Sequence, residues 1–187
     1  MNPEVLLSRI RVVLCRPSHP GNIGAVARAM KTMGLSDLYL VSPRQFPDPE
    51  ADTRATGAVD LLQRATVCDS LKMALAETSF AVAMSARQRD LGPAIGQPRE
   101  VVGRLLAEAA HGRVAMVFGN ETMGLSNEEV MHCQAAVCIP TNPEFSSLNL
   151  GAAVQVLCYE CRMAAYQAQP PLGGHLATPA ASPRATH

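Results

Sequence analysis

Three stretches carry most of the residue types able to do chemistry. The first, Arg16-Pro-Ser-His-Pro-Gly-Asn22-Ile-Gly24, runs into a helical pattern that carries Arg28. Gly24, Arg28, Lys31 and Thr32 fall at i, i+4, i+7 and i+8, hence on one helical face. Gly24 removes a side chain beside Arg28, so the stripe is cationic, uncrowded and suited to a phosphate or a ribose; an ordinary solvated helix face would read the same way. The second, Phe118-Gly119-Asn120-Glu121-Thr-Met-Gly124-Leu-Ser126, sets two glycines five apart, as a phosphate cradle does. A Walker A loop needs Lys and then Ser or Thr after its second glycine. Leu125 stands there, which argues against nucleoside triphosphate hydrolysis. Gly21-Asn-Ile-Gly24 has the wrong spacing for a dinucleotide fingerprint. The third, Ile139-Pro-Thr-Asn-Pro-Glu144-Phe-Ser146-Ser147-Leu148-Asn149, puts two serines and an asparagine at the mouth of the last helix. Backbone N–H groups at a helix start hold anionic groups, and a serine there also serves as a simple cap.

Other candidate chemistries are weaker. Cys158-x-x-Cys161 falls inside an apolar helical pattern, and with His132, Cys133 and Cys138 it matches no compact zinc spacing, so these read as buried structural thiols and no metal is expected. No G-x-S-x-G elbow accompanies the histidines. Glu128 and Glu129 belong to Ser126-Asn-Glu-Glu129, a capping box.

Short apolar runs must position these loops. Residues 10–15, 38–41, 80–84, 114–118 and 135–139 are apolar and bounded by turn formers, which predicts strands covered on both faces; 66–68 is a further short candidate. Helices are predicted over 22–33 with Gly34 just beyond, over 70–77 after an Asp69 cap, over 99–110, from Ser126, and from Ser147 to about Gln167. The alternation defines an α/β domain with a mostly parallel sheet flanked by helices, over residues 1–167. Residues 168–187 are rich in Pro, Ala, Ser, Thr and Gly and read as a flexible tail.

Composition bounds the function. Net charge is zero and charged residues make up 17%, so there is no polybasic arm; the 16 cations are nonetheless 14 Arg and 2 Lys, and arginine suits bidentate phosphate contact. Aromatics at 4%, with no Trp, argue against a stacking platform. The six cysteines form no secreted disulfide framework, the N-terminus has no uninterrupted apolar core, and no stretch reaches a membrane span, so a reducing cytoplasm and no membrane are expected.

The three stretches together are more specific than any one. Asn22-Ile-Gly-Ala-Val-Ala-Arg28-Ala-Met-Lys-Thr-Met-Gly34, Phe118-Gly-Asn-Glu121-Thr-Met-Gly-Leu and Ser146-Ser-Leu-Asn149-Leu resemble the three signature motifs of the SPOUT-superfamily RNA methyltransferases, TrmH-like branch. The resemblance spans roughly residues 8–166 and is nearest to the tRNA (cytidine/uridine-2′-O)-methyltransferases of that branch. It implies a C-terminal trefoil knot, S-adenosyl-L-methionine as cofactor, and a homodimer with tRNA across its interface. It implies cofactor contacts at Met84, Ser85, Ala86, Gly119, Ile139, Ser146, Ser147 and Leu148, with Arg28 as the catalytic arginine and Asn22, Glu121, Ser147 and Asn149 around it. Arg16, Arg87 and Arg89 are candidates for RNA phosphates. The expected reaction is 2′-O-methylation of cytidine or uridine at position 32 of the anticodon loop. An rRNA or another tRNA position, or a non-catalytic RNA-binding module, are the alternatives. Members of this group usually carry a further C-terminal helical extension where this chain has its Pro/Ala-rich tail, so a weaker grip on tRNA is expected.

Overall fold

The computed structural model describes residues 1–85 and 92–167. Seven strands, β1 (Ile10–Cys15), β2 (Asp37–Val41), β3 (Thr66–Cys68), β4 (Thr78–Met84), β5 (Ile95–Gly96), β6 (Arg113–Phe118) and β7 (Ala135–Val137), form one sheet in the order β3-β2-β1-β6-β4-β7-β5. Every pairing is parallel.

The apolar runs become strands because both faces of the sheet are covered. Along β1 every residue is buried, and alternate side chains enter different cores: Ile10, Val12 and Leu14 join one, Val13 and Cys15 the other. The first core is roofed by α1 (Pro3–Ser8), α2 (Pro20–Met33), α3 (Pro49–Ala55), α4 (Val59–Gln63), α6 (Pro98–Ala109) and α8 (Leu150–Gln167). The second lies under α5 (Leu71–Ala74) and α7 (Asn127–Met131). Arg11, buried in β1, is compensated at the opposite edge from the loops of interest: it donates to Asp37 at 3.0 Å and to the Ala74 carbonyl at 2.7 Å, and stacks on Tyr39.

Several expected boundaries move. The last strand ends at Val137 rather than 139, freeing Cys138 and Ile139 for the loop beyond it. The helix expected over 70–77 is the single turn α5, capped by the Ser70 side chain rather than by Asp69, and Glu77 at φ 65° turns the chain into β4. The last helix begins at Leu150, not Ser147. Helices α1, α3 and α4 and the two-residue β5 add to the expected set.

Because β1 lies beside β6, and β6 beside β4 and then β7, the chain segments leaving these four strands emerge together at the carboxyl edge of the sheet. That is where parallel α/β sheets hold ligands.

Candidate functional site

The converging segments enclose a cleft of about 440 Å³. Met84 and Ser85 reach it from β4, residues 119–125 from β6, Cys138, Ile139 and Thr141 from β7, and Ser146, Ser147 and Leu148 from the approach to α8, whose Leu150 and Ala153 close it. Among the described residues, the lining side chains include one carboxylate, Glu121, and no Lys or Arg.

Gly119 makes the β6 turn possible. A Cβ there would lie 2.2 Å from the backbone of both Gly124 and Leu125, so any side chain would force the turn open. The turn closes on itself through the Gly124 N–H, which donates to the Asn120 carbonyl at 2.8 Å. It is therefore a tight loop folded on its own backbone rather than an open phosphate cradle.

Glu121 caps a helix that lies about a hundred residues earlier. His19, at the N-cap of α2, makes no side-chain cap. Instead the Glu121 carboxylate accepts from the Ser18 N–H at 2.8 Å, the His19 N–H at 3.1 Å and the Asn22 Nδ2 at 3.1 Å. An anion at this end also complements the helix dipole. Burial on its own would raise the Glu121 pKa, but these bonds outweigh it and hold the carboxyl below its ordinary value. Asn22 in turn accepts from Asn149 Nδ2 at 3.0 Å, while Asn149 Oδ1 caps α8 by accepting from the Gly151 N–H at 2.9 Å. Asn149, not Ser146 or Ser147, is thus the capping residue, and both serines are left facing the cleft. Thr141 holds their loop by donating to the Ser146 carbonyl at 3.2 Å.

The structure brings Met84, Ser85, Gly119, Glu121, Ile139, Ser146, Ser147 and Leu148 to the cleft and hangs Asn22 and Asn149 on its wall. Arg28 is not among the lining residues. It is exposed, makes no hydrogen bond or ion pair among the described residues, and lies six residues beyond Asn22 on α2, a rotation of about 120° around the helix. Nor is the stripe around it open as expected. Gly24 packs against α3, where a Cβ would stand 2.1 Å from the Ala51 carbonyl oxygen, and Lys31 pairs with Asp60 at 2.7 Å. Arg16 is engaged by Glu129 in a two-point contact at 3.1 and 2.8 Å. Burial would push Glu129 up, but the Arg16 and Ser126 bonds hold it down. Ala86, Arg87 and Arg89 lie outside the described residues, as does the tail at 168–187. Cys158 and Cys161 are fully buried, and burial drives both thiol pKa values up, to about 12 for Cys161. Sequence reasoning missed Asn120, whose amide makes four bonds in this wall; its place between Gly119 and Glu121 was the available signal.

Residues 9–159 match the SpoU rRNA Methylase family, and the chain belongs to that family. Over 165 residues it is 54% identical to the tRNA (cytidine/uridine/adenosine-2'-O-)-methyltransferase TrmJ of Pseudomonas aeruginosa (strain UCBPP-PA14), covering 88% of this chain and 64% of that protein. The chain therefore spans slightly less than two thirds of that relative's length. Among solved structures, a probable methylase family protein from Haemophilus influenzae Rd KW20 superposes with a TM-score of 0.82 at 45% identity, over 86% of this chain and 68% of that one. TrmJ from Z. mobilis ZM4 gives 0.78 at 37% identity, over 81% of this chain and 67% of that one. No helix among the described residues is long and apolar enough to cross a membrane.

Proposed function

We propose that this chain transfers a methyl group from S-adenosyl-L-methionine to a ribose 2′-oxygen of tRNA, at cytidine or uridine 32 of the anticodon loop, in the cytoplasm and without a metal. The observation that carries the reading is the cleft, lined by two of the three distant motifs with the third bonded to its wall through Asn22, and holding one carboxylate and no cationic side chain among the described residues. A triphosphate would demand cations there. A sulfonium is itself cationic, the apolar lining side chains Met84, Ile139 and Leu148 suit an adenine ring, and the volume is within the range of small-molecule sites. The residues present therefore fit the cofactor, which when bound supplies an electrophilic methyl group.

The chain's own residues would then do the following. Met84, Ser85, Gly119, Ile139 and the Ser146–Ser147–Leu148 segment hold the cofactor; Ala86 is assigned to the same role by its motif position. Glu121, Asn22 and Asn149 fix the start of α2 against this pocket. Arg28 orients the ribose through its planar fork and stabilises charge growing on the oxygen. A guanidinium is a poor base because its neutral form is scarce, so the 2′-proton leaves to phosphate, Ser147 or water. Arg87 and Arg89, and Arg16 once released from Glu129, are the candidates for RNA phosphates.

The exposed position of Arg28 outside its own cleft supports a homodimer, with substrate bound where two copies meet. So does the apolar depression formed by Met33, Tyr159, Met163 and Tyr166, of which Tyr159 is 48% exposed. The trefoil knot implied by the motifs is part of the same proposal. The family's description as rRNA methylases favours one second reading, a ribosomal RNA substrate.

Labelled methyl transfer to anticodon-loop transcripts tests the proposal. Transfer to wild-type transcript that disappears with a 2′-deoxy nucleotide at 32 supports it; transfer only to ribosomal RNA installs the second reading; no saturable cofactor binding overturns both. Arg28→Ala should slow transfer about 10²-fold, on the scale of one lost oxyanion donor. Arg28→Lys at full rate would remove the role assigned to the fork.

A further inference from the structure

We infer that Asn120 is a positioning residue for the proposed methyl transfer: its side-chain amide couples the cofactor cleft to the helix that carries Arg28. The inference rests on the reading of the cleft given above, but on different residues. The two ends of this amide do different work. Oδ1 accepts from the Thr122 N–H at 2.9 Å and the Met123 N–H at 3.2 Å, both in the turn that lines the cleft. Nδ2 donates to the Arg16 carbonyl at 2.8 Å and the Ser18 hydroxyl at 2.6 Å, both in the segment that leads into α2. All four hydrogen-bonding positions of the amide are filled, two on each side.

The neighbouring Glu121 grips the same segment through the Ser18 and His19 N–H groups. Two consecutive residues of one turn thus hold the start of α2, which is one continuous helix of 14 residues packed on α3 and α8. A tilt at its first turn is carried two turns on to Arg28. In-line methyl transfer depends on alignment, and a shift of about 1 Å at a reacting group costs about 10²-fold in rate. Asn120 needs no contact with substrate to exert such an effect.

The division of labour makes the inference separable from simple support of the cleft. Asn120→Asp keeps an acceptor for Thr122 and Met123 but loses both donors toward Arg16 and Ser18. Ser18→Ala removes one of the two α2-side bonds and leaves Asn120 intact. Asn120→Ala removes everything. We would measure, on the full chain, S-adenosyl-L-methionine affinity by calorimetry, kcat and KM on anticodon-loop transcript, and hydrogen exchange at residues 18–22. For Asn120→Asp the expected result is a kcat lower by about tenfold or more, cofactor affinity within about twofold, and faster exchange at 18–22. Ser18→Ala should show the same pattern at about threefold in kcat, and it carries the test if the Asp variant does not fold. Asn120→Ala should lose cofactor affinity as well as kcat. An Asp variant with wild-type kcat and exchange overturns the inference. So does one whose cofactor affinity falls in step with kcat, since the amide would then only support the cleft. If the wild-type chain transfers methyl to no RNA, the proposed function fails, while the exchange data still decide whether Asn120 ties the cleft to α2.

Discussion

Glu121→Gln puts the capping of α2 to a quantitative test. The carboxylate serves three donors with two oxygens, at 2.8, 3.1 and 3.1 Å. Glutamine has the same shape but one oxygen, so its NH₂ must face either the Ser18 N–H or the pair from His19 and Asn22. One unmatched donor costs about 1–3 kcal/mol when buried, and loss of the charge at a helix N-terminus adds about 0.3–1 kcal/mol. Glu121 is only half-buried, so water recovers part of this and a net loss of about 1–3 kcal/mol is expected. For a domain of this size that is a fall of about 3–10 °C in Tm. The pH dependence supplies the sign. Because the folded carboxyl pKa is depressed, its stabilisation is fully present above the ordinary carboxylate value and is lost as pH falls through the folded value. Thermal unfolding of both proteins, followed by circular dichroism from neutral to acidic pH, should therefore show a gap that is widest at neutrality and closes on acidification. An equal Tm at neutral pH, or a gap that persists once the carboxyl is protonated, would refute the cap.

Three glycine substitutions separate the cleft from its surroundings. Gly119→Ala places a Cβ 2.2 Å from the Gly124 and Leu125 backbone and should weaken S-adenosyl-L-methionine binding, read by calorimetry, by about tenfold or more, with about 1–3 kcal/mol of stability lost. Gly103→Ala, where a Cβ meets nothing within 4 Å on α6, is the matched control and should stabilise by about 0.5–1 kcal/mol. Gly24→Ala drives a Cβ to 2.1 Å from the Ala51 carbonyl oxygen and should also cost about 1–3 kcal/mol in chemical denaturation, yet leave cofactor affinity unchanged, because α3 lies outside the cleft.

Strands were the most legible part of the sequence because full burial on both faces leaves continuous apolar runs, and β1 has the expected limits; the edge strand β3 has them too, though two of its three residues are exposed. The two residues of β5 are too short to carry any pattern. Asp48 and Pro49 were a readable cap and first-turn signal for α3, but the segment after them has no apolar period long enough to outweigh a loop. The site loops were legible from their glycines, prolines and serines. What lay opposite them was not. Gly24 and Arg28 do share a face, but sequence gives which residues share a face and not what packs against it, so space filled by α3 read as space for a ligand. Asn120 finds its α2-side partners 104 and 102 positions away, beyond any local pattern.

The topology explains why cleft and cation are divided. Strands β1 and β6 are neighbours in the sheet though about a hundred residues separate them, so the loop after β6 meets the start of α2 at once. That junction is held by Asn120, Glu121, Asn22 and Asn149, all uncharged except one anion. For the proposed reaction, a cation inside it would oppose a sulfonium, whereas a polyanionic RNA requires one nearby. On α2 the second cation, Lys31, is neutralised by Asp60, and Arg16 just before the helix is neutralised by Glu129. Arg28 is left exposed and without an ion pair among the described residues, on the far side of the helix whose first turn is pinned to the cleft. On the proposed function, one helix then presents a neutral end to the methyl donor and a positive flank to the acceptor. With zero net charge over the whole chain, no long-range cationic field adds to such contacts, so in the proposed reaction discrimination rests on how the ribose is held between the two.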